Sequence, residues 1–91
     1  MSQRISFLVH GDVQGVSYRY FTQKKAQEYG VTGWVRNTPN SKVEGEAQGD
    51  KEALQKLLKD LDDGPRAAHV VKLEKGEKEL VDGEKGFEVR H

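Results

Sequence analysis

The sequence contains no cysteine, only two prolines and a single tryptophan among its 91 residues. The absence of cysteine excludes disulfide scaffolds, thiolate catalysis and cysteine-ligated metals. No apolar run exceeds three residues, which excludes a hydrophobic transmembrane helix. The first residues lack the apolar segment of a signal peptide, so we expect a cytoplasmic protein. A chain of this length encloses one core, and we expect a single domain over residues 1–91 and a monomer.

The net charge is zero, from 15 basic and 15 acidic side chains. This balance argues against capture of nucleic acid or of an anionic membrane, so neither is expected as a partner. Residues 1–42 nevertheless carry six basic and two acidic side chains, whereas residues 43–91 carry nine and thirteen. The first half is therefore the place to seek an anion site, unless the unequal halves simply pair with each other across the fold.

The spacing of apolar residues predicts the order of helices and strands. Alternation over Arg4–His10 predicts a strand, and three-to-four spacing from Tyr18 to Tyr29 predicts a short helix that ends at Gly30. The remaining predicted elements are a second strand over Val31–Thr38, a third over Val43–Gln48, a helix over Lys51–Leu61 capped by Asp50, a fourth strand around Val70–Leu73, a charged loop over Glu74–Gly86 and a short last strand at Phe87–Val89. This order predicts an α+β, ferredoxin-like split βαβ (βαββαβ) sandwich, with two helices on one face of an antiparallel sheet. The last strand either extends this sheet or replaces the fourth strand at its edge.

The segment Gly11–Arg19, which reads GDVQGVSYR, connects the first strand to the first helix. A glycine-bearing connection into a helix can turn successive backbone N–H groups toward an anion, and the helix N-terminus adds positive potential. Arg19, in the first helical turn, could clamp two phosphate oxygens. The glycine spacing matches neither the dinucleotide-binding nor the P-loop pattern. Spacing alone therefore leaves open a tight turn beside a solvated arginine, and Asp12 would oppose an anion.

The second strand carries a second cluster of polar residues, in Gly33–Asn37. Alternation predicts that Trp34 and Arg36 share one face and that Val35 and Asn37 share the other. We expect Trp34 in the core and Arg36 as a surface charge. Asn37 either forms a turn or orients a water molecule, because its amide offers both a donor and an acceptor.

Together these segments resemble the acylphosphatase family. Gly11–Arg19 matches its G-x-V-Q-G-V-x-[FY]-R signature, and Gly33–Asn37 followed by Val43-Glu44-Gly45 matches its G-[WF]-V-[RK]-N and V-x-G signature. The resemblance covers the whole chain and includes Gly49 and Phe87–Arg90. The sequence departs from the family at Ser41, where members have a turn glycine, so we expect this turn to require a positive φ. It also departs at His91, where members often end in tyrosine.

The resemblance implies an enzyme that hydrolyses the carboxyl-phosphate bond of acyl phosphates to a carboxylate and inorganic phosphate, with no metal, no cofactor and no phosphoenzyme. It assigns phosphate binding to Arg19 and to the backbone amides of Gln14, Gly15, Val16, Ser17 and Tyr18, orientation of water to Asn37, and a supporting role to Thr38. Because an amide does not titrate, we expect a phosphate oxygen of the substrate to accept the proton of the water. His10, on the outer side of its strand, is expected to be structural.

Two other readings use the same fold. Single-stranded RNA binders of this architecture stack bases on paired sheet aromatics, but no strand here carries the aromatic run that they require. A catalytically weak phosphate or acyl-phosphate (carbamoyl phosphate) binding module would keep the pocket without turnover. Tight binding without hydrolysis would identify this second alternative.

Overall fold

The structure, a computed structural model, describes residues 2–13 and 16–90. In chain order the elements are β1 (Ser2–Asp12), α1 (Val16–Glu28), β2 (Thr32–Asn37), β3 (Val43–Asp50), α2 (Lys51–Asp63), β4 (His69–Lys78) and β5 (Phe87–Val89). Neither helix in the described part of the chain is long and apolar enough to cross a membrane.

The strands form one sheet in the order β4-β1-β3-β2-β5. The first four strands pair antiparallel, as the ferredoxin-like prediction requires. β5 pairs with β2 in parallel, through Gly33–Phe87, Trp34–Glu88 and Val35–Val89. The last strand therefore extends the sheet on the side opposite β4. The α+β, ferredoxin-like prediction is confirmed, with the correction that the sheet is mixed rather than wholly antiparallel.

The core lies between one face of the sheet and the two helices. The alternating residues Phe7 and Val9 of β1 and Val35 of β2 are buried on this face, as the period of two predicted. From α2, Leu54, Leu57 and Leu61 pack against them. Because both helices cover the same face, the opposite face of the sheet stays open and carries the charged side chains of alternate positions.

β4 is longer than the sequence predicted. The structure continues the strand from His69 to Lys78, so the prediction of a loop is wrong for Glu74–Lys78 and holds only for the residues that follow. The cause is the position of β4 at the sheet edge, where alternating Lys and Glu residues can face solvent while the backbone pairs with β1. A charged edge strand has no apolar periodicity by which sequence reading could detect it.

Two further predictions need correction. Asp50 occupies the position before α2, but its side chain makes no capping hydrogen bond. Trp34 is not in the core: it lies half-buried on the open face, with the guanidinium groups of Arg36 and Arg90 stacked on its ring. The core prediction fails because the neighbouring Gly33 and Val35, rather than Trp34, face the helices.

Charge pairing across the fold accounts for part of the asymmetry between the two halves of the sequence. Basic groups of the first half contact acids of the second in the pairs Arg4–Glu46 (2.7 Å), Arg4–Glu84 (2.8 Å), Arg36–Glu44 (2.6 Å) and His10–Glu74 (2.5 Å). Arg4 is only 4% exposed, between β3 and the connection from β4 to β5. The charge balance alone therefore did not indicate an anion site.

Candidate active site

Strands β1, β2 and β5 all end at one edge of the sheet. β3 runs antiparallel to both β1 and β2, so the latter two point in the same direction, and β5 is parallel to β2. Val43 at the start of β3 pairs with Val9 on one side and with Asn37 on the other. The end of β2 is therefore separated by one strand from Val9, three residues before β1 ends at Asp12.

Gly11 is required where β1 reaches this edge. Its φ is +133°, and a Cβ there would collide with the carbonyl oxygen of His69 on the neighbouring β4. The pairing of β1 with β4 shifts between His10 and Gly11, as it does at a β-bulge. Of the predicted loop residues, Gln14 and Gly15 lie outside the described residues, whereas Val16, Ser17 and Tyr18 form the first turn of α1.

Tyr18 fastens the first turn of α1 to α2. Its side chain is 1% exposed, and its hydroxyl donates a hydrogen bond of 2.5 Å to the carbonyl oxygen of Leu61. Its ring lies 6.0 Å from the ring of Phe21. Burial raises the pKa of this phenol, so it remains protonated and a donor. The buried side chain of Tyr18 thus anchors the first turn of α1 to α2.

Arg19 lies in the same turn and is 8% exposed. Its Nη1 donates a hydrogen bond of 3.2 Å to the carbonyl oxygen of Arg90. The backbone N–H of Arg90 in turn donates to the carbonyl oxygen of Val35 at 2.8 Å. These contacts hold the Arg19 guanidinium beside the ends of β2 and β5.

Asn37 is the last residue of β2 and shares the helix-covered face with Val35. Its Oδ1 is buried, and none of the described residues forms a hydrogen bond with it. A buried amide oxygen without a partner is uncommon, and calls for an explanation such as a bound water or ligand. The fold thus brings Arg19 and Asn37 to the same face and the same edge of the sheet.

Thr38 belongs to the turn that follows Asn37. Its hydroxyl accepts the N–H of Lys42 at 3.0 Å and donates to Oδ1 of Asn40 at 2.5 Å, while its own N–H donates to the carbonyl oxygen of Lys42 at 2.8 Å. Ser41 in this turn has a φ of +69°, the one non-glycine positive φ among the described residues. The expectation that this turn requires a positive φ is confirmed.

Within residues 2–13 and 16–90, no group of three or more His, Asp or Glu side chains is arranged to hold a metal ion. A small cleft of about 140 Å³ borders the first turn of α1, between Ser17 and the segment Pro65–Ala68. A larger cleft of about 340 Å³ lies on the open face of the sheet beside Leu8 and Trp34.

Sequence reading missed the contact of Arg19 with Arg90. The acceptor is a backbone carbonyl, which every residue type carries, and it lies 71 positions away in the chain. The only available signal was the match of Phe87–Arg90 to the family ending, which carries no information about a contact with α1.

The fold and this edge define a ferredoxin-like α+β protein with a glycine-bearing connection into a helix beside a buried arginine and an asparagine whose side-chain oxygen is buried. The family model described as Acylphosphatase matches residues 5–89. The chain belongs to the acylphosphatase family, and is accordingly a hydrolase that acts on acyl phosphates.

Similar proteins cover nearly the whole chain. An acylphosphatase of Thermus thermophilus is 49% identical over 94% of this chain and 97% of its own. The crystal structure of an acylphosphatase from Bacillus subtilis has a TM-score of 0.92 and 31% identity, with all of both chains covered. The structure of an acylphosphatase from Coxiella burnetii has a TM-score of 0.91 and 36% identity over 98% of this chain and 93% of that one.

Proposed function

We propose that this protein hydrolyses the carboxyl-phosphate bond of acyl phosphates without a metal ion. The water oxygen forms a bond to phosphorus while the bond from phosphorus to the carboxyl oxygen breaks. The products are a carboxylate and inorganic phosphate. Phosphoryl transfer of this kind depends on positioning and on charge stabilisation more than on covalent help from the protein.

Arg19 and the loop amides bind the phosphate group in this proposal. The guanidinium carries a positive charge at a largely buried position, where a charge-assisted hydrogen bond to a phosphate oxygen is strong. Helix α1 begins at Val16, so its first backbone N–H groups and the positive end of its dipole also face the phosphate group. The predicted amides of Gln14–Tyr18 complete the cradle.

Asn37 orients the attacking water. The observation that carries the proposal is the buried Oδ1 of Asn37, which lacks a partner among the described residues and lies on the face and edge that Arg19 also reaches. Such an oxygen can accept a hydrogen bond from water and fix the direction of its lone pair. Thr38 supports Asn37 through the hydrogen bonds of the turn. A phosphate oxygen of the substrate accepts the proton that the water loses.

The test follows the hydrolysis of benzoyl phosphate in the presence of EDTA. We expect wild-type turnover, and a loss of on the order of 10²–10³ or more in rate for Arg19→Gln and for Asn37→Ala, since each removes one preorganised donor or acceptor. Lys24→Gln is the matched control for Arg19, because it removes a basic group from the exposed side of the same helix. Hydrolysis in ¹⁸O-labelled water should place the label in phosphate.

The controls separate this mechanism from its rivals. His10→Ala and Asp12→Asn should keep most activity, and a loss as large as that of Arg19→Gln would contradict substrate assistance. Label in the carboxylate would contradict attack at phosphorus. If the wild type bound phosphate without hydrolysing benzoyl phosphate, the chain would be the binding module considered as an alternative.

We further propose a cytoplasmic, single-domain monomer that needs no cofactor and whose partners are the acyl phosphate and inorganic phosphate, with neither nucleic acid nor membrane among them. Light scattering on the eluted protein tests the monomer, with an expected mass near 10.3 kDa. Twice this mass would contradict it.

A further inference from the structure

The guanidinium groups of two arginines lie over the ring of Trp34 on the open face of the sheet. The guanidinium carbon of Arg90 lies 4.7 Å from the ring centroid, and that of Arg36 lies 5.3 Å from it. Both distances lie within the range of an energetically significant cation–π contact. The two arginines lie at different places in the fold. Arg36 belongs to β2, whereas Arg90 follows the end of β5.

The backbone of Arg90 links this stack to Arg19. Its N–H donates to the carbonyl oxygen of Val35 at 2.8 Å, and its own carbonyl oxygen accepts Nη1 of Arg19 at 3.2 Å. One residue therefore has its side chain on the ring of Trp34 and its carbonyl on the candidate phosphate-binding arginine.

Arg90 follows a short edge strand that is anchored mainly at its first residue, since Phe87 is buried in the core and its carbonyl oxygen accepts Nε2 of Gln23 at 2.9 Å. The strand is three residues long, lies at the sheet edge and pairs with β2 only. A residue that follows such a strand is expected to fray unless further contacts hold it. Besides the hydrogen bond from Arg19, the described contacts of Arg90 are the hydrogen bond to Val35, the stack on Trp34 and a peripheral ion pair with Glu88 at 3.4 Å.

We propose that Trp34 and Arg90 are positioning residues for phosphate binding. The stack on the open face of the sheet fixes the position of the Arg90 carbonyl. That carbonyl in turn fixes the rotamer of Arg19, which lies on the helix-covered face. The inference rests on the proposed role of Arg19 in binding the phosphate. Neither Trp34 nor the Arg90 side chain touches the substrate, so both act only through the Arg19 guanidinium.

The experiment measures the inhibition constant of inorganic phosphate, together with KM and kcat for benzoyl phosphate. Trp34→Leu removes the ring without changing the charge, and Arg90→Met removes the stacked guanidinium. Each should raise the phosphate inhibition constant and KM about two- to fivefold, the range that an exposed cation–π contact supports, with a smaller change in kcat. Trp34→Phe should recover part of the loss. The double variant Trp34→Leu/Arg90→Met should have a phosphate inhibition constant no higher than that of either single variant, because both substitutions remove the same contact.

Arg36→Met is the matched control. It removes the same charge from the same ring, but none of the described hydrogen bonds joins its backbone to Arg19, so phosphate affinity should stay at the wild-type value. An equal loss in Arg36→Met, or wild-type affinity in Trp34→Leu, would overturn the inference. If Trp34→Leu does not fold, the comparison of Arg90→Met with Arg36→Met decides in its place, since both side chains are exposed.

Failure of the inference differs from failure of the proposed function. Retained turnover in Arg19→Gln would remove the basis of both. Loss of turnover in Arg19→Gln with unchanged phosphate affinity in Arg90→Met would overturn the positioning role alone.

Discussion

Replacement of Ser41 by glycine should stabilise the protein. Ser41 has a φ of +69°, a conformation in which the Cβ of an L-residue crowds its own backbone. This crowding costs about 1–2 kcal/mol, and glycine escapes it. Glycine also gives the unfolded chain about 0.4–1 kcal/mol of additional conformational freedom, which offsets part of the gain. The net expected increase in the free energy of unfolding is about 0.5–1 kcal/mol.

Among the described residues, none forms a hydrogen bond with the Ser41 hydroxyl that Ser41→Gly would remove. The residue is exposed, and its one described hydrogen bond is made by its backbone N–H, which donates to the carbonyl oxygen of Thr38 at 3.2 Å. Glycine keeps this donor. For a domain of fewer than 100 residues, a gain of this size should raise the Tm by about 2–8 °C, which differential scanning calorimetry resolves easily.

Ser41→Ala separates the backbone effect from the effect of the hydroxyl. Alanine lacks the hydroxyl but keeps the Cβ, so its Tm should not exceed that of the wild type. Equal gains for alanine and glycine would refute the explanation by φ. A lower Tm for Ser41→Gly would mean that the positive φ costs less than the flexibility that glycine adds.

Three further substitutions test the packing around the site. Tyr18→Phe should lower the free energy of unfolding by about 1–2 kcal/mol in urea titration, because the buried carbonyl oxygen of Leu61 loses its donor; an unchanged value would mean that water replaces it. Glu84→Gln should cost about 2 kcal/mol at pH 7, because it removes a charged hydrogen-bond partner of the buried Arg4. The hydrogen bond from Arg4 also holds the pKa of Glu84 below its usual value. A lowered folded-state pKa gives stability that is present above the unfolded value of about 4.3 and is lost as pH falls through the folded value, so the difference between wild type and variant should shrink below about pH 4; a constant difference would contradict it. Gly45→Ala should leave the protein unfolded by circular dichroism, since its Cβ would collide with the carbonyl oxygen of Trp34 and the ring of Phe7, and a native spectrum would contradict this.

The sequence was sufficient to predict elements whose side chains alternate between a solvent-exposed side and a side that faces the core. The apolar period identified β1 and α2, and the stripe of Leu54, Leu57 and Leu61 is buried as predicted. It failed for the second half of β4, where both sides of an edge strand can be charged. It failed for Trp34 as well, because size and aromaticity predict burial in general but do not say which face of a strand the helices cover.

The candidate site could be predicted only as two separate segments. The motifs contain Arg19 and Asn37, but neither motif shows that β1, β2 and β5 end at the same edge of the sheet. That arrangement arises because β3 lies between β1 and β2 and pairs antiparallel with both. The contact that holds Arg19 joins a side chain to a backbone carbonyl across 71 positions, and such an acceptor leaves no trace in residue identity. Residue identity does show Trp34, whose stack on Arg90 we propose to hold that carbonyl in place. If Trp34 acts through its stack on Arg90, its loss should alter phosphate affinity more than its half-buried position on the open face would suggest, and the comparison of Trp34→Leu with Arg36→Met measures that difference.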